Sequence, residues 1–320
     1  MRELYQQLNK KIKTLNELLW GRRITNPVVE QWLNNFTGEL PDSKEKIHAL
    51  YILSCFMYFG DREIRALLKT LFYELFKCRI ISDIRTRNND TSDLDLINKE
   101  FKKELKATIF LGVGNPSESG CHLLYFFRQE NSLDINLFAN DSDILKISRN
   151  SKGEPIPKLR HPEIKRYVYI DDFCGSGQQI IEYLYERTKL IKELKSGVEL
   201  CYYVLFGSLS TLQTIKSAGN FDRVDTVCEL GASYKCFQSD RYFKEYGDKL
   251  DKHFAKNMCQ TYGDKLFPAH PLGYKGGEFL IGFYHNVPDN TLPIIWSEGN
   301  GDDIKWHPIF KRYPKINFEW

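Results

Sequence analysis

Two adjacent carboxylates and a glycine-containing loop stand together in residues 167–177 of this sequence. The run reads Tyr-Val-Tyr-Ile-Asp-Asp-Phe-Cys-Gly-Ser-Gly, so Asp171 and Asp172 follow directly after an apolar segment. A carboxylate only accepts hydrogen bonds, and two of them can receive the neighbouring hydroxyl groups of a ribose. The Gly-Ser-Gly run at 175–177 can turn tightly and present amide and hydroxyl donors to a phosphate. The spacing therefore predicts a site for a ribose 5-phosphate group.

A strand, a loop and a helix must position these groups. Residues 167–170 are predicted to form a buried strand, and apolar positions from Ile180 to Leu194 predict the helix after the loop. A strand at 200–206, a short helix at 211–217 and a strand near 225–228 follow. Strand and helix alternate with short connections, which predicts parallel strands with right-handed crossovers. Ligands of such sheets bind at the carboxyl ends of strands, where helix N-termini favour phosphate.

The serine of this loop has a second interpretation. Ser176-Gly-Gln-Gln179 has the spacing of a capping box, in which the serine satisfies a helix amide and the glutamine reaches back. Such a cap would form with or without a ligand. It leaves the two acids unexplained, because desolvating unpaired carboxylates at the end of a buried strand is costly. Both interpretations of Ser176 stay open at this point.

The remaining sequence predicts three regions. They are an N-terminal helical region over 1–106, an α/β core over 107–255 and a C-terminal extension over 256–320. A short buried strand at 108–113 opens the core. Residues 146–165 are rich in Lys, Arg, Gly and Pro without periodicity, which predicts a mobile surface loop.

Bulk composition gives no support to several classes of protein. The 45 basic and 42 acidic side chains leave a net charge of +3, so no global field favours nucleic acid or a membrane surface. The sequence has no apolar run that would span a bilayer and no secretory signal at its start, so we expect a cytoplasmic protein. The 8 cysteines lack the spacing of zinc ligands, which predicts reduced thiols and no metal held by the protein.

The acidic motif resembles the signature of type I phosphoribosyltransferases, in which two acids and a short Thr/Ser/Gly loop join a buried strand to a helix. By this resemblance Asp171 and Asp172 are the catalytic candidates and bind the ribose hydroxyls. The resemblance assigns the 5-phosphate to Phe173, Cys174, Gly175, Ser176, Gly177, Gln178 and Gln179. It implies an α/β fold with a parallel-sheet core, and Mg²⁺ carried on the pyrophosphate of the substrate.

Two further sites follow from the same resemblance. Residues 111–120 stand where the family places its pyrophosphate-binding loop, with donors at Gly112, Gly114, Ser117, Ser119 and Gly120. That loop has no Lys or Arg and contains Glu118, so an ordinary Gly/Ser turn is the alternative. Residues 146–165 stand where a loop would close over phosphates, with a solvated charged loop as the alternative.

A last candidate site lies near the end of the chain. His285 and Asn286 follow a predicted strand at 279–283 and offer an imidazole and an amide to a nucleobase or leaving group. A structural role beside the proline-rich turn is the alternative.

The wider chain resembles a divergent phosphoribosyltransferase-like family of bacterial antiphage systems, some of them associated with retrons. The resemblance rests on residues 32–36, 58–62, 112–120, 285–293 and 306–312. It implies a toxic effector enzyme that uses phosphoribosyl pyrophosphate or a nucleotide, with a retron reverse transcriptase, its msDNA or other defence proteins as partners. The alternative is a non-catalytic subunit that senses nucleotides or serves in assembly.

Overall fold

The computed structural model describes residues 1–40, 44–115, 117–175, 177–299 and 304–313, without the side chains of Gln178 and Gln179. The helices in these ranges are α1 (Arg2–Leu18), α2 (Asn26–Leu33), α3 (Glu45–Ser54), α4 (Asp61–Thr70), α5 (Cys78–Arg87), α6 (Leu94–Lys106), α7 (Ser119–Glu130), α8 (Gln178–Leu194), α9 (Leu209–Ser217), α10 (Lys252–Leu266) and α11 (Pro293–Trp296). The strands in these ranges are β1 (Met57–Phe59), β2 (Thr108–Gly112), β3 (Leu145–Arg149), β4 (Pro155–Leu159), β5 (Arg166–Cys174), β6 (Glu199–Gly207), β7 (Arg223–Glu229) and β8 (Ile281–Phe283).

The chain packs as two compact units. The first unit comprises Met1–Ile64 and Gly231–Trp320, and the second comprises Arg65–Leu230. A unit built from both ends of the chain is a different division from the three consecutive regions expected from the sequence, and those regions stay a prediction.

A parallel sheet forms the centre of the second unit. The described residues place four strands in the order β2-β5-β6-β7, and every neighbouring pair is parallel. The whole of β6 except its first residue is buried, as expected for a strand covered on both faces. The predicted α/β class with a parallel sheet is therefore confirmed.

The prediction of a mobile loop over residues 146–165 is wrong for much of that stretch. β3 and β4 pair there as an antiparallel hairpin. Asn150 closes the turn, because its Oδ1 accepts from the backbone N–H groups of Lys152 and Glu154 at 2.9 and 3.0 Å. Both strands have mostly exposed or half-buried residues, so no alternation of apolar and polar residues marked them in the sequence.

The first unit joins segments that are far apart in the sequence. β1 lies inside the predicted helical region but pairs in parallel with β8, and Tyr58 faces Gly282 across the pair. Trp32 and Trp306 both donate their indole N–H to the carbonyl oxygen of Ile294, at 2.7 and 3.1 Å. Early and late parts of the chain thus share one apolar core.

Buried charges connect the amino ends of the strands in the second unit. Arg166, at the start of β5, is 7% exposed. Its guanidinium donates to Glu199 of β6, to Thr108 of β2 and to Glu104 of α6. Arg223 of β7 also contacts Glu199. The charges compensate one another inside a region where an isolated charge would be costly.

The expectations for the cysteines and for membrane-spanning helices can be compared with the described residues. All eight cysteines lie within the described ranges and are free thiols. Among the helices that the structure describes, none combines the length and the apolar character needed to cross a membrane.

Candidate functional site at the carboxyl end of β5

Asp171 and Asp172 lie at the carboxyl end of β5, an inner strand of the sheet. Oδ1 of Asp171 accepts the backbone N–H of Asp172 at 2.9 Å, and its Oδ2 accepts the hydroxyl of Tyr202 at 3.1 Å. Oδ1 of Asp172 accepts the backbone N–H of Phe173 at 2.8 Å. These bonds orient both carboxylates at the edge where the predicted ribose site belongs.

The loop after β5 is held by a neighbouring helix. The hydroxyl of Thr211, in α9, donates to the carbonyl oxygen of Gly175 at 2.7 Å. Gly177 has a φ of +69°, and a Cβ there would lie 2.7 Å from Cγ2 of Thr211 and 3.1 Å from Cγ1 of Ile215. Glycine is therefore required at 177 for its backbone conformation and for the close approach of α9.

The backbone at the start of α8 gives the position of the helix cap. Gly177 is the N-cap residue and makes no side-chain capping bond, so Gln179 stands two positions after the cap rather than three. The capping-box interpretation depends on the side chains of Ser176 and Gln179, so it stays a prediction. Ser176 itself lies outside the described residues, as do the side chains of Gln178 and Gln179.

Phe173 and Cys174 have different surroundings. The Phe173 residue is half-buried, whereas Cys174 is buried in the apolar cluster beside β5 and α8. Burial raises the pKa of the Cys174 thiol to about 12, so the side chain stays protonated at neutral pH. Any contact of Cys174 with a phosphate would come from its backbone.

The electrostatics of the acid pair favour a bound proton. Asp171 is half-buried and Asp172 is buried. The loss of solvation, and next the negative charge of Asp172, hold the pKa of Asp171 well above the ordinary range of an aspartate. A ligand that donates hydroxyl hydrogen bonds or brings a cation would relieve this unfavourable crowding.

We expect Asp171→Asn to flatten the pH dependence of stability. The raised pKa means that the folded protein binds this proton more tightly than the unfolded chain does. Stability therefore falls as the pH rises from the pKa of the unfolded chain, about 4, to the higher pKa of the folded protein. One proton of difference corresponds to at most about 1.4 kcal/mol per pH unit. Urea unfolding of wild type and variant across a pH series measures this slope. Equal slopes in the two proteins would contradict the assignment.

The glycines at the end of β2 serve close packing. A Cβ on Gly112 would lie 2.5 Å from Cα of Cys121, and one on Gly120 would lie 2.4 Å from the carbonyl oxygen of Val113. α7 therefore approaches the end of β2 more closely than any larger residue would allow. This packing is required whether or not the loop binds pyrophosphate.

The rest of the predicted pyrophosphate loop includes one carboxylate and no cation. Gly114 has a φ of +93°, and a Cβ there would lie 2.6 Å from Oε2 of Glu118. Ser117 donates both its backbone N–H and its hydroxyl to Oδ1 of Asn115, at 2.9 and 2.5 Å. Ser119 is the first residue of α7. The hydroxyl of Ser117 is thus already engaged, and a carboxylate lies against Gly114.

Further acidic groups at this edge were not identified from the sequence. Asp141 accepts the hydroxyl of Tyr169 at 3.0 Å and pairs with Nε of Arg187 at 3.0 Å. Burial, followed by the charges of Glu118, Asp141 and Asp171, raises the pKa of the Cys121 thiol. The signal available in the sequence was a tyrosine inside a buried strand, because a buried hydroxyl needs a partner.

Tyr202 and Thr211 were also missed as site residues. Tyr202 is fully buried in the middle of β6 and donates to Asp171, while Thr211 holds the loop at Gly175. Both lie far from the acidic motif in sequence. Only the pairing of β6 with β5 and the packing of α9 bring them to it.

His285 and Asn286 belong to the first unit, whereas the acid pair belongs to the second. The His285 ring stacks on Phe283 with centroids 5.5 Å apart. Oδ1 of Asn286 accepts the backbone N–H groups of Val287 and Tyr313, at 2.9 and 3.0 Å. Asn286 thus has a structural task in its turn, and the binding role of these two residues stays a prediction.

A parallel sheet with two carboxylates and a glycine loop at the end of an inner strand defines a phosphoribosyltransferase-like protein. The model of the PRTase-CE family matches residues 29–312, and the chain belongs to this phosphoribosyltransferase-like family. A comparison with curated proteins gives no match.

One solved structure that matches is the AQ2163 protein from Aquifex aeolicus. The sequences are 14% identical, the match covers 65% of this chain and 86% of that chain, and the TM-score is 0.29. A similarity this weak supports no conclusion about the fold or the site.

Proposed function

We propose that this protein binds a ribose 5-phosphate compound at the carboxyl end of β5 and transfers or hydrolyses its phosphoribosyl group. The observation that supports the proposal most is the position of Asp171 and Asp172 near the end of β5, two residues before the glycine loop that opens α8. Family membership supports phosphoribosyl chemistry as the general class. Phosphoribosyl pyrophosphate and nucleotides are the substrates that fit this description.

The proposed chemistry relies on positioning. The two carboxylates accept hydrogen bonds from the 2′- and 3′-hydroxyls, while the amides at the start of α8 hold the 5′-phosphate. The bond from the anomeric carbon to the leaving group breaks through an oxocarbenium-like state, and the leaving group takes the electron pair. An acceptor oxygen or nitrogen then bonds to that carbon and releases its proton. The protein contributes by orientation and by electrostatic stabilisation.

Mg²⁺ fits this edge as an ion carried by the substrate. The carboxyl groups of Glu118, Asp141 and Asp171 all act on the pKa of Cys121, and a cation beside a phosphate group would be favoured where such acidic groups gather. Among the described residues, no group of three or more His, Cys, Asp or Glu side chains is arranged to hold a metal ion. Substrate oxygens and water would therefore supply most ligands of the ion.

Two lysines of the β3–β4 hairpin are candidates for contacts with the same substrate. Lys146 and Lys158 face each other across the antiparallel pair, and both are exposed. Like charges directly opposite each other destabilise a hairpin, and an anion between them removes that cost. We propose that this lysine pair contacts the phosphate groups of the substrate.

A nucleotide-sensing subunit without catalysis is the second candidate, and one observation favours it. The carboxylate of Glu118 lies against Gly114, where a departing pyrophosphate would need positive charge. A site of this kind retains ligand binding and lacks stabilisation of the leaving group.

The setting proposed for either activity is bacterial antiphage defence, with the enzyme as a toxic effector. This part of the proposal rests on sequence resemblance alone. A retron reverse transcriptase, its msDNA or another defence protein would then be the partner.

The ligand proposal is tested by thermal unfolding with phosphoribosyl pyrophosphate and Mg²⁺, with ribose 5-phosphate, and with nucleoside monophosphates. A ligand at a hundred times its dissociation constant adds about 2.7 kcal/mol to the stability of the folded state. We expect Asp171→Asn and Asp172→Asn to lose most of that gain, because an amide replaces one acceptor of the ribose hydroxyls.

Asp225→Asn is the matched control, since Asp225 lies within β7 of the same sheet and pairs with Arg79. It should keep the full ligand shift. If no ribose phosphate stabilises the wild-type protein, the binding proposal fails. Release of pyrophosphate or free base then separates the two candidates: ligand binding without turnover identifies a sensor, and turnover lost in both site variants identifies an enzyme.

A further inference from the structure

A cation from α8 is tied to the strand that carries the acid pair. Nε of Arg187 lies 3.0 Å from Oδ2 of Asp141, and Oδ1 of Asp141 accepts the hydroxyl of Tyr169 at 3.0 Å. Tyr169 stands two residues before Asp171 in β5, so the two side chains lie on the same face of the strand. The Arg187 guanidinium is therefore held, through two contacts, on the face of β5 that carries Asp171.

Two electrostatic effects locate the same side of α8 near the loop that precedes α7. Partial burial, followed by the charges of Asp141 and Glu118, raises the pKa of the Tyr183 hydroxyl. After burial, the same two carboxylates also raise the pKa of Cys121, the third residue of α7. Tyr183 stands four residues before Arg187, and side chains at this spacing are neighbours on a helix. Tyr183 and Arg187 thus lie on the side of α8 that is close to the predicted pyrophosphate loop.

The Arg187 side chain has donors for a second anion. It is 31% exposed, whereas the side chain of Asp141 is 16% exposed. A guanidinium carries five N–H donors in a planar fork, and one carboxylate takes at most two of them. An incoming anion can therefore bind Arg187 while the pair with Asp141 stays in place.

The chemistry proposed for this edge needs such a cation. Residues 111–120 contain neither Lys nor Arg, and the carboxylate of Glu118 lies against Gly114. When the bond from the anomeric carbon to a pyrophosphate breaks, the pyrophosphate keeps the electron pair and gains negative charge. Donors that meet this charge lower the barrier. An arginine suits this task because its fork donates two parallel hydrogen bonds to phosphate oxygens.

We infer that Arg187 binds the pyrophosphate group of a phosphoribosyl donor and stabilises its departure. The inference rests on the proposed function, and it selects phosphoribosyl pyrophosphate over a nucleotide, since a nucleobase offers no comparable anion to the guanidinium. Asp141 is then a positioning residue, because it holds the guanidinium near the edge. Its negative charge also offsets part of the attraction between Arg187 and pyrophosphate.

A purely structural bridge is the alternative role of the pair. Asp141 begins the 3₁₀ turn Asp141–Asp143, just before β3, so its contact with α8 would simply hold that turn. In that case the removal of either partner would harm the protein in the same way. If Arg187 binds pyrophosphate, the two removals instead have different effects on ligand affinity.

Isothermal titration of the full chain with phosphoribosyl pyrophosphate and Mg²⁺, and separately with ribose 5-phosphate, tests the inference. Arg187→Met should bind phosphoribosyl pyrophosphate about 10- to 100-fold more weakly, as expected for lost charge-assisted hydrogen bonds, and ribose 5-phosphate as wild type does. Asp141→Asn removes the charge and keeps an oxygen that accepts from Tyr169, so it should bind phosphoribosyl pyrophosphate at least as tightly as wild type. Arg187→Lys keeps the charge without the fork and should give an intermediate affinity.

Lys189→Met is the matched control, because Lys189 is exposed on α8 and, two positions after Arg187, lies on a different side of the helix. It should bind both ligands as wild type does. If wild type binds ribose 5-phosphate, three results overturn the inference alone: full affinity of Arg187→Met for phosphoribosyl pyrophosphate, equal loss of both ligands in that variant, or equal losses in Arg187→Met and Asp141→Asn. A wild-type protein that binds neither ligand overturns the proposed function as well.

Discussion

Alanine at position 177 is expected to destabilise the protein by about 2–4 kcal/mol and to abolish the ribose-phosphate shift. Gly177 has a φ of +69°, which costs a residue with a Cβ about 1–2 kcal/mol. The new methyl group would also lie 2.7 Å from Cγ2 of Thr211. Either α9 or the loop must move, and both movements displace the amides at the start of α8. Urea unfolding and thermal unfolding with phosphoribosyl pyrophosphate measure the two effects.

Gly197→Ala separates backbone strain from the collision. Gly197 has a similar φ of +80°, but a Cβ there would meet nothing within 4 Å. The stability that Gly197→Ala loses should be limited to the backbone strain, about 1 kcal/mol, and stabilisation by the ligand should be unchanged. If Gly177→Ala behaves like this control and keeps the full ligand shift, the loop is not the phosphate site.

Arg166→Met is expected to destabilise the folded protein by about 3 kcal/mol. The Arg166 side chain is 9% exposed and pairs with Glu104 and Glu199, whose side chains are 9% and 20% exposed. Removing one partner leaves buried carboxylates with less compensation, which costs far more than an exposed ion pair contributes. Each carboxylate keeps a second arginine, so we expect the lower end of the usual range. Urea unfolding at neutral pH gives the value.

Arg87→Met provides the comparison at the same acid. Arg87 also pairs with Glu104, but its side chain is 58% exposed, so its loss should cost less than about 1 kcal/mol. Arg166→Met should retain its ligand shift, because Arg166 begins β5 while the acid pair lies near its carboxyl end. Equal losses in the two variants would show that burial does not control the strength of this network.

The acidic motif could be predicted from sequence because its signal is local. An apolar run, two acids and glycines within eleven residues predicted a strand, a turn and a helix, and β5 and α8 occur there, although β5 continues past the predicted end at residue 170 to Cys174. The same locality made Gly177 predictable, since a tight turn into a helix needs a backbone conformation that glycine adopts readily. The alternation of strands and helices after residue 167 was sufficient for the parallel sheet.

These sequence patterns do not predict contacts between residues that are distant in the sequence. The hydrogen bonds of Tyr202 to Asp171 and of Thr211 to Gly175 require the register of β6 and the packing of α9. Likewise, the β1–β8 pair joins residues more than two hundred positions apart. The β3–β4 hairpin was not predicted from the sequence. Few of its residues are buried, so its apolar residues show no regular alternation.

The position of the acid pair in β5 and the surroundings of this pair therefore have separate causes. The sequence by itself determined that Asp171 and Asp172 lie near the end of a buried strand and before a turn, because short-range chemistry decides where strands and turns form, although β5 continues to Cys174. Tertiary structure decided their surroundings: a tyrosine hydroxyl, neighbouring carboxylates and the loss of solvation that raises the pKa of Asp171. It also brought the backbones of Gly112 and Cys121 together, through the close packing of α7 on β2.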